Sequence, residues 1–552
     1  MTSLISDPQT AGCTELNKIT AKDSFLKNSD LMAMTFSYLQ VENNKESRSL
    51  LNAALTCKDI LEVALDALWE NLYSLVPLLK ILPSLQVVGD VYVCANFHVF
   101  IYVFICLQVL SEDPSQADWD RMKYYSRKVK SFIAIDTAAV DDSRVHPSLL
   151  TCFRIAQLRS SESPLSPLFP SIRHFHCNLG NRSTDPIHVL LFLSPRLHSL
   201  TLHNFGGIEN KIVGPFLAFL ATLSSQMLSR IVLHSGRMSG DILKNSFVHF
   251  KQLRSLELVD AVLTSDFTIW EVLGTLPSLV NLTLKVTDYA SHPPHDAENS
   301  NRQSGGPKYF DALESLCVTG SLFLVQHLLG FIDSPCLTTI KVYPVLDDEY
   351  EHEPDNHFTP SMTIIASKWP QSLKNLVIDS SSCDPVHIYA ISDCLMSLTA
   401  LHELQTFHLV WTMKNMDDNV RRLVVSWPKL RTLRLPLNHT ALISLSTLRI
   451  IAESCSELRH LTTGLDTSTF PPFDTSSKSL QHNLEDLTVG KVLSSTTPSQ
   501  KSNLTCQIRV TQHLDLIFPY LKIRMQGNSM NRVWSKIREL IQLCQDARRV
   551  TK

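Results

Sequence analysis

The sequence predicts an α/β solenoid, a horseshoe with parallel strands on its concave face and returning helices on the convex one, preceded by a small all-α module. Three observations carry this reading. A spacing of Leu-x-x-Leu-x-Leu recurs at Leu253-Leu256-Leu258, Leu279-Leu282-Leu284 and Leu430-Leu433-Leu435. Looser copies keep the same three apolar slots, among them Leu197-Leu200-Leu202, Leu228-Ile231-Leu233, Leu337-Ile340-Val342, Leu373-Leu376-Ile378 and Leu484-Leu487-Val489. Unit starts lie about 24 to 36 residues apart, near the upper end of leucine-rich-repeat periods. The uneven interval marks a degenerate array with insertions, running from about 172 to 490, with one more weak copy at Val129, Phe132 and Ala134.

The spacing has a physical origin. In x-Leu-x-Leu-x the period is two, so both leucines face one side of a short strand and their neighbours the other. A longer amphipathic piece then returns the chain. After Leu258 it is the stretch from Phe267 to Leu273, stopped by Gly274 and the Leu276-Pro277 break. One strand and one helix cannot bury their apolar faces alone, whereas stacked copies share a continuous core.

At 552 residues the chain exceeds what one ordinary core holds, which also favours a solenoid or several domains. A net charge of −3 gives no global attraction to nucleic acid or an anionic membrane. Thirteen scattered cysteines without a paired C-x-x-C spacing, and no cleavable leader, fit a reducing cytoplasmic or nuclear setting.

Residues 1–22 are polar and aperiodic, a lead-in to a helical module at 23–83. Leu31, Phe36 and Leu39 suggest a first helix, a linker spans 41–46, and Leu61, Leu65 and Leu68 lie on one stripe of a later helix. The bland reading is a cap for the open end of the array. The stretch Leu-Leu-Asn-Ala-Ala-Leu-Thr-Cys-Lys-Asp-Ile at 50–60, followed by Ala-Leu-Asp-Ala-Leu-Trp at 64–69, resembles the second half of an F-box, as found in the large family of fungal F-box/leucine-rich-repeat proteins. Residues 74–83 and 112–129 continue the likeness, as do 517–521 and 534–549. The opening departs from it: the family has a Leu-Pro pair where this chain reads Phe25-Leu26-Lys27-Asn28-Ser29-Asp30. The resemblance implies a three-helix module docking a Skp-type adaptor, and through it a cullin-RING ubiquitin ligase, while the repeats hold a protein target. The matching adaptor positions are Leu31, Phe36, Leu39, Leu51, Leu55, Cys57, Leu61, Leu65 and Trp69.

Residues 84–128 form a connector holding an anomalous apolar insert at 94–109. The surrounding stretch from Val91 to Leu110 has the length of a membrane span and no Lys, Arg, Asp or Glu. Asn96, His98 and Gln108, with acidic flanks, weaken that reading. A buried β-rich element is the second reading, and a translated intron, whose removal rejoins the family-like pattern, is the first.

Polar insertions interrupt the array at 291–307 and 347–355, a linker spans 491–503, and 504–552 reads as a capping segment ending in an amphipathic helix over 533–549. No phosphate-binding Gly-rich loop, nucleophile elbow or His-Glu-x-x-His helix is present, and His174 and His176 have no convergent third ligand in sequence. The expectation is a chain without catalysis, metal or cofactor. Outward strand positions, led by Thr201, Glu257, Thr283, Lys341, His408 and Arg434, are the expected target face. They mix small polar groups with charges of both signs and form no basic stripe, which points to a protein target and not nucleic acid.

Overall fold

A computed structural model of the chain describes residues 28–38, 44–83, 86–88, 91–93, 115–134, 144–145, 167–178, 192–203, 210–238, 245–263, 268–286, 309–345, 355–380, 394–411, 415–437, 441–467, 480, 482–489, 504–525 and 532–551. The lead-in, Leu39, the insert at 94–109, the insertions at 291–307 and 347–354 and the linker 491–503 lie outside them. Among the described residues no helix is long and apolar enough to cross a membrane. The chain divides into two compact units, one of residues 1–177 and 187–197 and one of 178–186 and 198–552.

The first unit opens with α1 (Ser29–Ser37), α2 (Asn44–Thr56) and α3 (Lys58–Glu70). Helix α2 begins inside the stretch that the sequence suggested as linker. Then come β1 (Asn71–Leu72), α4 (Val76–Leu79), a small sheet of β2 (Gln86–Val88), β3 (Val91–Val93) and later β5 (Arg144–Val145), and α5 (Gln116–Ser126). A capping box starts α5: Ser115 Oγ accepts the Asp118 N–H at 3.2 Å and the Asp118 carboxylate accepts the Ser115 N–H at 3.2 Å. Strands β4 (Ser131–Ala134) and β6 (His174–Asn178) complete a parallel run β1-β4-β6. Phe132, Phe169, Phe175 and Phe192 pack beneath it, with ring centroids 4.6–6.4 Å apart.

In the second unit every strand of the main sheet pairs parallel to its neighbours: β7 (Ser199–His203), β8 (Arg230–Met238), β9 (Ser255–Leu263), β10 (Asn281–Lys285), β11 (Ser315–Gly320), β12 (Thr339–Pro344), β13 (Asn375–Asp379), β14 (Thr406–Val410), β15 (Thr432–Arg434), β17 (His460–Asp466), β18 (Asp486–Val489) and β19 (Lys522–Met525), with β16 (Leu442–Ser444) alongside β17. Helices α6 (Asn210–Ser224), α7 (Thr268–Gly274), α8 (Leu322–Phe331), α9 (Asp355–Lys368), α10 (Met416–Val425), α11 (Leu445–Ser454), α12 (Leu504–Ile517) and α13 (Arg532–Thr551) alternate with them. The suggested return helix after Leu258 is α7, and the suggested terminal helix is α13. The ladder runs on past 490, because β19 pairs with β18.

The register follows the slots. Leu256, Leu282, Leu316, Ile340, Leu376, Phe407, Leu433, Leu461 and Leu487 are partners across successive strands, and all are buried. Between units one carbonyl accepts two successive N–H groups of the next repeat. Arg254 O takes Val280 and Asn281, both at 2.9 Å, and Thr338 O takes Lys374 and Asn375, both at 2.9 Å. A second recurring position was not foreseen. Three residues before the first slot stands a buried plug, Phe169, Ser194, Phe250, Leu276, Phe310, Leu401, Trp427, Cys455 or Phe518, whose carbonyl accepts the N–H of the slot at 3.0–3.4 Å. Phe310 holds this place with a left-handed backbone, φ 64°. Gly274 lets it in: a Cβ there would stand 2.6 Å from the Tyr309 ring.

One buried group makes the array pH-sensitive. His482 donates from Nε2 to Cys455 O at 2.7 Å and accepts the Leu484 N–H on Nδ1 at 3.0 Å, a geometry that only neutral imidazole satisfies. Burial lowers its pKa, outweighing the bond to Cys455 O, and burial also lowers those of His408 and His513. The unfolded chain binds these protons near the ordinary histidine pKa of about 6.5, while the folded chain resists them, so stability is complete above that pH and falls below it. Thermal midpoints should therefore drop on acidification from pH 7.5 to 5, with a shallower slope in His482→Phe. A midpoint that rises would contradict this geometry.

Candidate interaction surfaces

In the first unit Asn28 caps α1, its side chain accepting the N–H groups of Asp30 and Leu31 at 3.2 and 3.1 Å. Leu31 and Met34 stand exposed on this helix, Phe36 is half-buried, and Met32 turns inward. On α2 the division is sharper. Leu50 and Ala54 are buried, while Leu51 and Leu55, one turn apart, are 45% and 75% exposed. Cys57, Leu61, Leu65 and Trp69 are half-buried.

Helix α3 is tied to α5 and the residues after it. Trp69 packs against Tyr125 with ring centroids 4.8 Å apart. Lys128 binds Glu62 at 2.8 Å and Asp66 at 2.5 Å, and the Tyr124 hydroxyl donates to Glu62 at 2.7 Å. Burial alone would lower the Lys128 pKa, but the bonds to Asp66 and Glu62 reverse the sign and raise it. The stretch 112–129, singled out in the sequence by resemblance, thus supplies the residues that hold α3. Of the sequence-suggested adaptor set, Leu31, Leu51 and Leu55 are free apolar surface, and Trp69 serves intramolecular packing.

In the second unit the six residues suggested for the target face fall in a single row. The register links Thr201, Val232, Glu257, Thr283, Cys317, Lys341, Val377, His408, Arg434, Thr462, Thr488 and Arg524 across successive strands. Each from Thr201 to Thr488 lies between two buried slots of its strand, and Arg524 follows the buried Ile523. All are half-buried or exposed except Val232, which is 3% exposed. Lys285, Tyr343 and Asp379, one outward position further along, complete the surface. The alternation could have found them, had it been followed past the second slot.

The groups sense one another. Burial pushes the Cys317 thiol up, against the pull of Lys341 and Lys285. Burial also raises Tyr343, helped by Cys317 and Asp379. Asp379 opposes the burial that lowers His408, and Arg434 adds to it. Arg230 reaches Glu257 at 3.9 Å, and Asp486 takes Arg524 at 2.9 Å and His460 at 3.2 Å. Among the described residues no group of three or more His, Cys, Asp or Glu could hold a metal ion.

Parallel strands in sequence order, two buried slots in each, and a helical or looped return between them decide the fold. It is a leucine-rich-repeat solenoid. Among solved structures the chain is similar to an internalin (inlF) from Listeria monocytogenes, at 15% identity over 54% of this chain and 75% of that one, with a TM-score of 0.28. It is similar to a chain of the Rad7 and Elc1 complex in yeast, at 16% identity over 64% and 87%, with a TM-score of 0.30. A chain of the TLR13–ssRNA13 complex matches at 14% identity over 59% and 41%, with a TM-score of 0.29. No protein-family model and no curated protein matches the chain.

Proposed function

We propose that this leucine-rich-repeat chain is a non-catalytic protein-binding scaffold that captures a protein target on its outward strand face, and that its N-terminal helices dock a Skp-type adaptor, making it a substrate-recognition subunit of a cullin-RING ubiquitin ligase. The single row from Thr201 to Arg524 carries the first part: an outward strand face that is mostly polar, with Val232 and Val377 as apolar members, and no closed catalytic constellation among the described residues. The second part is supported by the resemblance at 50–69, together with the exposure of Leu31, Leu51 and Leu55, and of Met34 near Leu31 on the same helix. Apolar side chains grouped on a surface commonly mark an interaction site.

Retention of a Skp-type adaptor by the full chain tests the ligase reading. Leu51→Asp should abolish adaptor retention without changing the thermal midpoint, because it places a charge in an apolar interface and the side chain is already half-exposed here. Trp69→Ala should weaken retention too, but with some loss of stability, since its ring packs on Tyr125. Equal adaptor retention by wild type and Leu51→Asp would remove the F-box assignment. An absence of retention by the wild type would leave a scaffold outside the ligase pathway, its helices serving only to cap.

A further inference from the structure

The outward positions before, between and after the two buried slots carry a charge balance unlike that of the whole chain. Among the described residues of the second unit they hold six basic side chains, Arg230, Lys285, Lys341, Arg434, Lys522 and Arg524, against three acidic ones, Glu257, Asp379 and Asp486. The formal charge of the chain is −3. Glu257 and Asp486 are engaged by arginines, whereas Lys285, Lys341 and Arg434 form no salt bridge with another described residue. The middle of the face thus holds three such cations against one carboxylate, Asp379, and Lys522 adds a fourth on the last strand.

The register gives the charges a spacing. Glu257, Lys341 and Arg434 occupy the same row, each three strands from the next. Strands lie about 4.7–4.9 Å apart, so the interval is roughly 14–15 Å, or about four residues of an extended chain rising about 3.3 Å per residue. Accepting the strand face as the target surface, we infer that the bound segment is an extended acidic peptide crossing the strands, with carboxylates about four residues apart facing Lys341 and Arg434. Thr339, on the strand of Lys341, and Thr432, on that of Arg434, offer hydroxyl donors to the same groups. Nucleic acid fits less well. Duplex phosphates are spaced far more closely than these cations, and Glu257, Asp379 and Asp486 stand among them.

A displayed library of random 16-residue peptides, selected on the full chain at low ionic strength, tests the inference. Wild type should enrich Asp and Glu, with pairs about four residues apart. The variant Lys341→Glu/Arg434→Glu, checked for an unchanged thermal midpoint, should bind those peptides about tenfold or more weakly and enrich Lys and Arg instead. Enriched peptides without an acidic bias would overturn the inference but leave the strand face as a binding surface. Failure to enrich any peptide would overturn that surface reading as well. Tighter retention of a single-stranded oligonucleotide, lost in the same variant, would replace the acidic peptide with nucleic acid.

Discussion

Replacing Trp369 or Trp427 by alanine should destabilise the array by about 3–5 kcal/mol, the range for truncating a buried tryptophan. Both indoles are almost fully buried. Each also donates a hydrogen bond into the preceding repeat, Trp369 Nε1 to Ser334 O at 2.8 Å and Trp427 Nε1 to Leu398 O at 3.1 Å. Truncation therefore opens a cavity and strands a buried carbonyl, two costs that add. The neighbouring Lys368 increases the local demand. Its ammonium donates to Leu329 O, Gly330 O and Ile332 O at 2.7–3.2 Å, closing the end of α8. Urea midpoints measured with the slope would check this. Because repeats stack in one dimension, the loss should fall on the neighbouring units first.

The second large effect is in the slots. Leu256→Ala and Leu433→Ala should each cost about 2–5 kcal/mol, since both leucines are 1% exposed and flanked on each side by a buried slot. Glu257→Ala and Arg434→Ala, one residue along, should stay within about 0.5 kcal/mol of wild type, because they lie on the outward face. A reversed ranking would put the register one residue out and exchange the two faces.

Those slots were legible because a period of two over five residues leaves little room for another face assignment. A polar residue can hold such a slot: Thr463, two residues after the buried Leu461, is itself fully buried, its hydroxyl donating to Gly464 O at 3.1 Å. Strand β1, only two residues long, has no period to read. Strand β19 escaped for another reason. Leu521 and Ile523 are buried but two residues apart, where the pattern demands three. The plug position was hidden by its chemistry, since serine, leucine, phenylalanine, cysteine and tryptophan share no property except that each fits its own cavity. In the helical module, sequence spacing marked apolar stripes, but which leucines face inward depends on packing partners. Leu50 and Leu51 are adjacent and identical, yet one is buried and the other half-exposed.

The row at the centre of the surface is tested most directly by capture. Wild-type chain and a Glu257→Ala/Lys341→Ala/Arg434→Ala variant, matched in thermal midpoint, are immobilised side by side and the retained proteins quantified by mass spectrometry. The strand-face account predicts that the variant loses the proteins the wild type holds while any adaptor bound through Leu51 stays on both. Full retention of the same proteins by the variant would contradict it and move the target site off the strands.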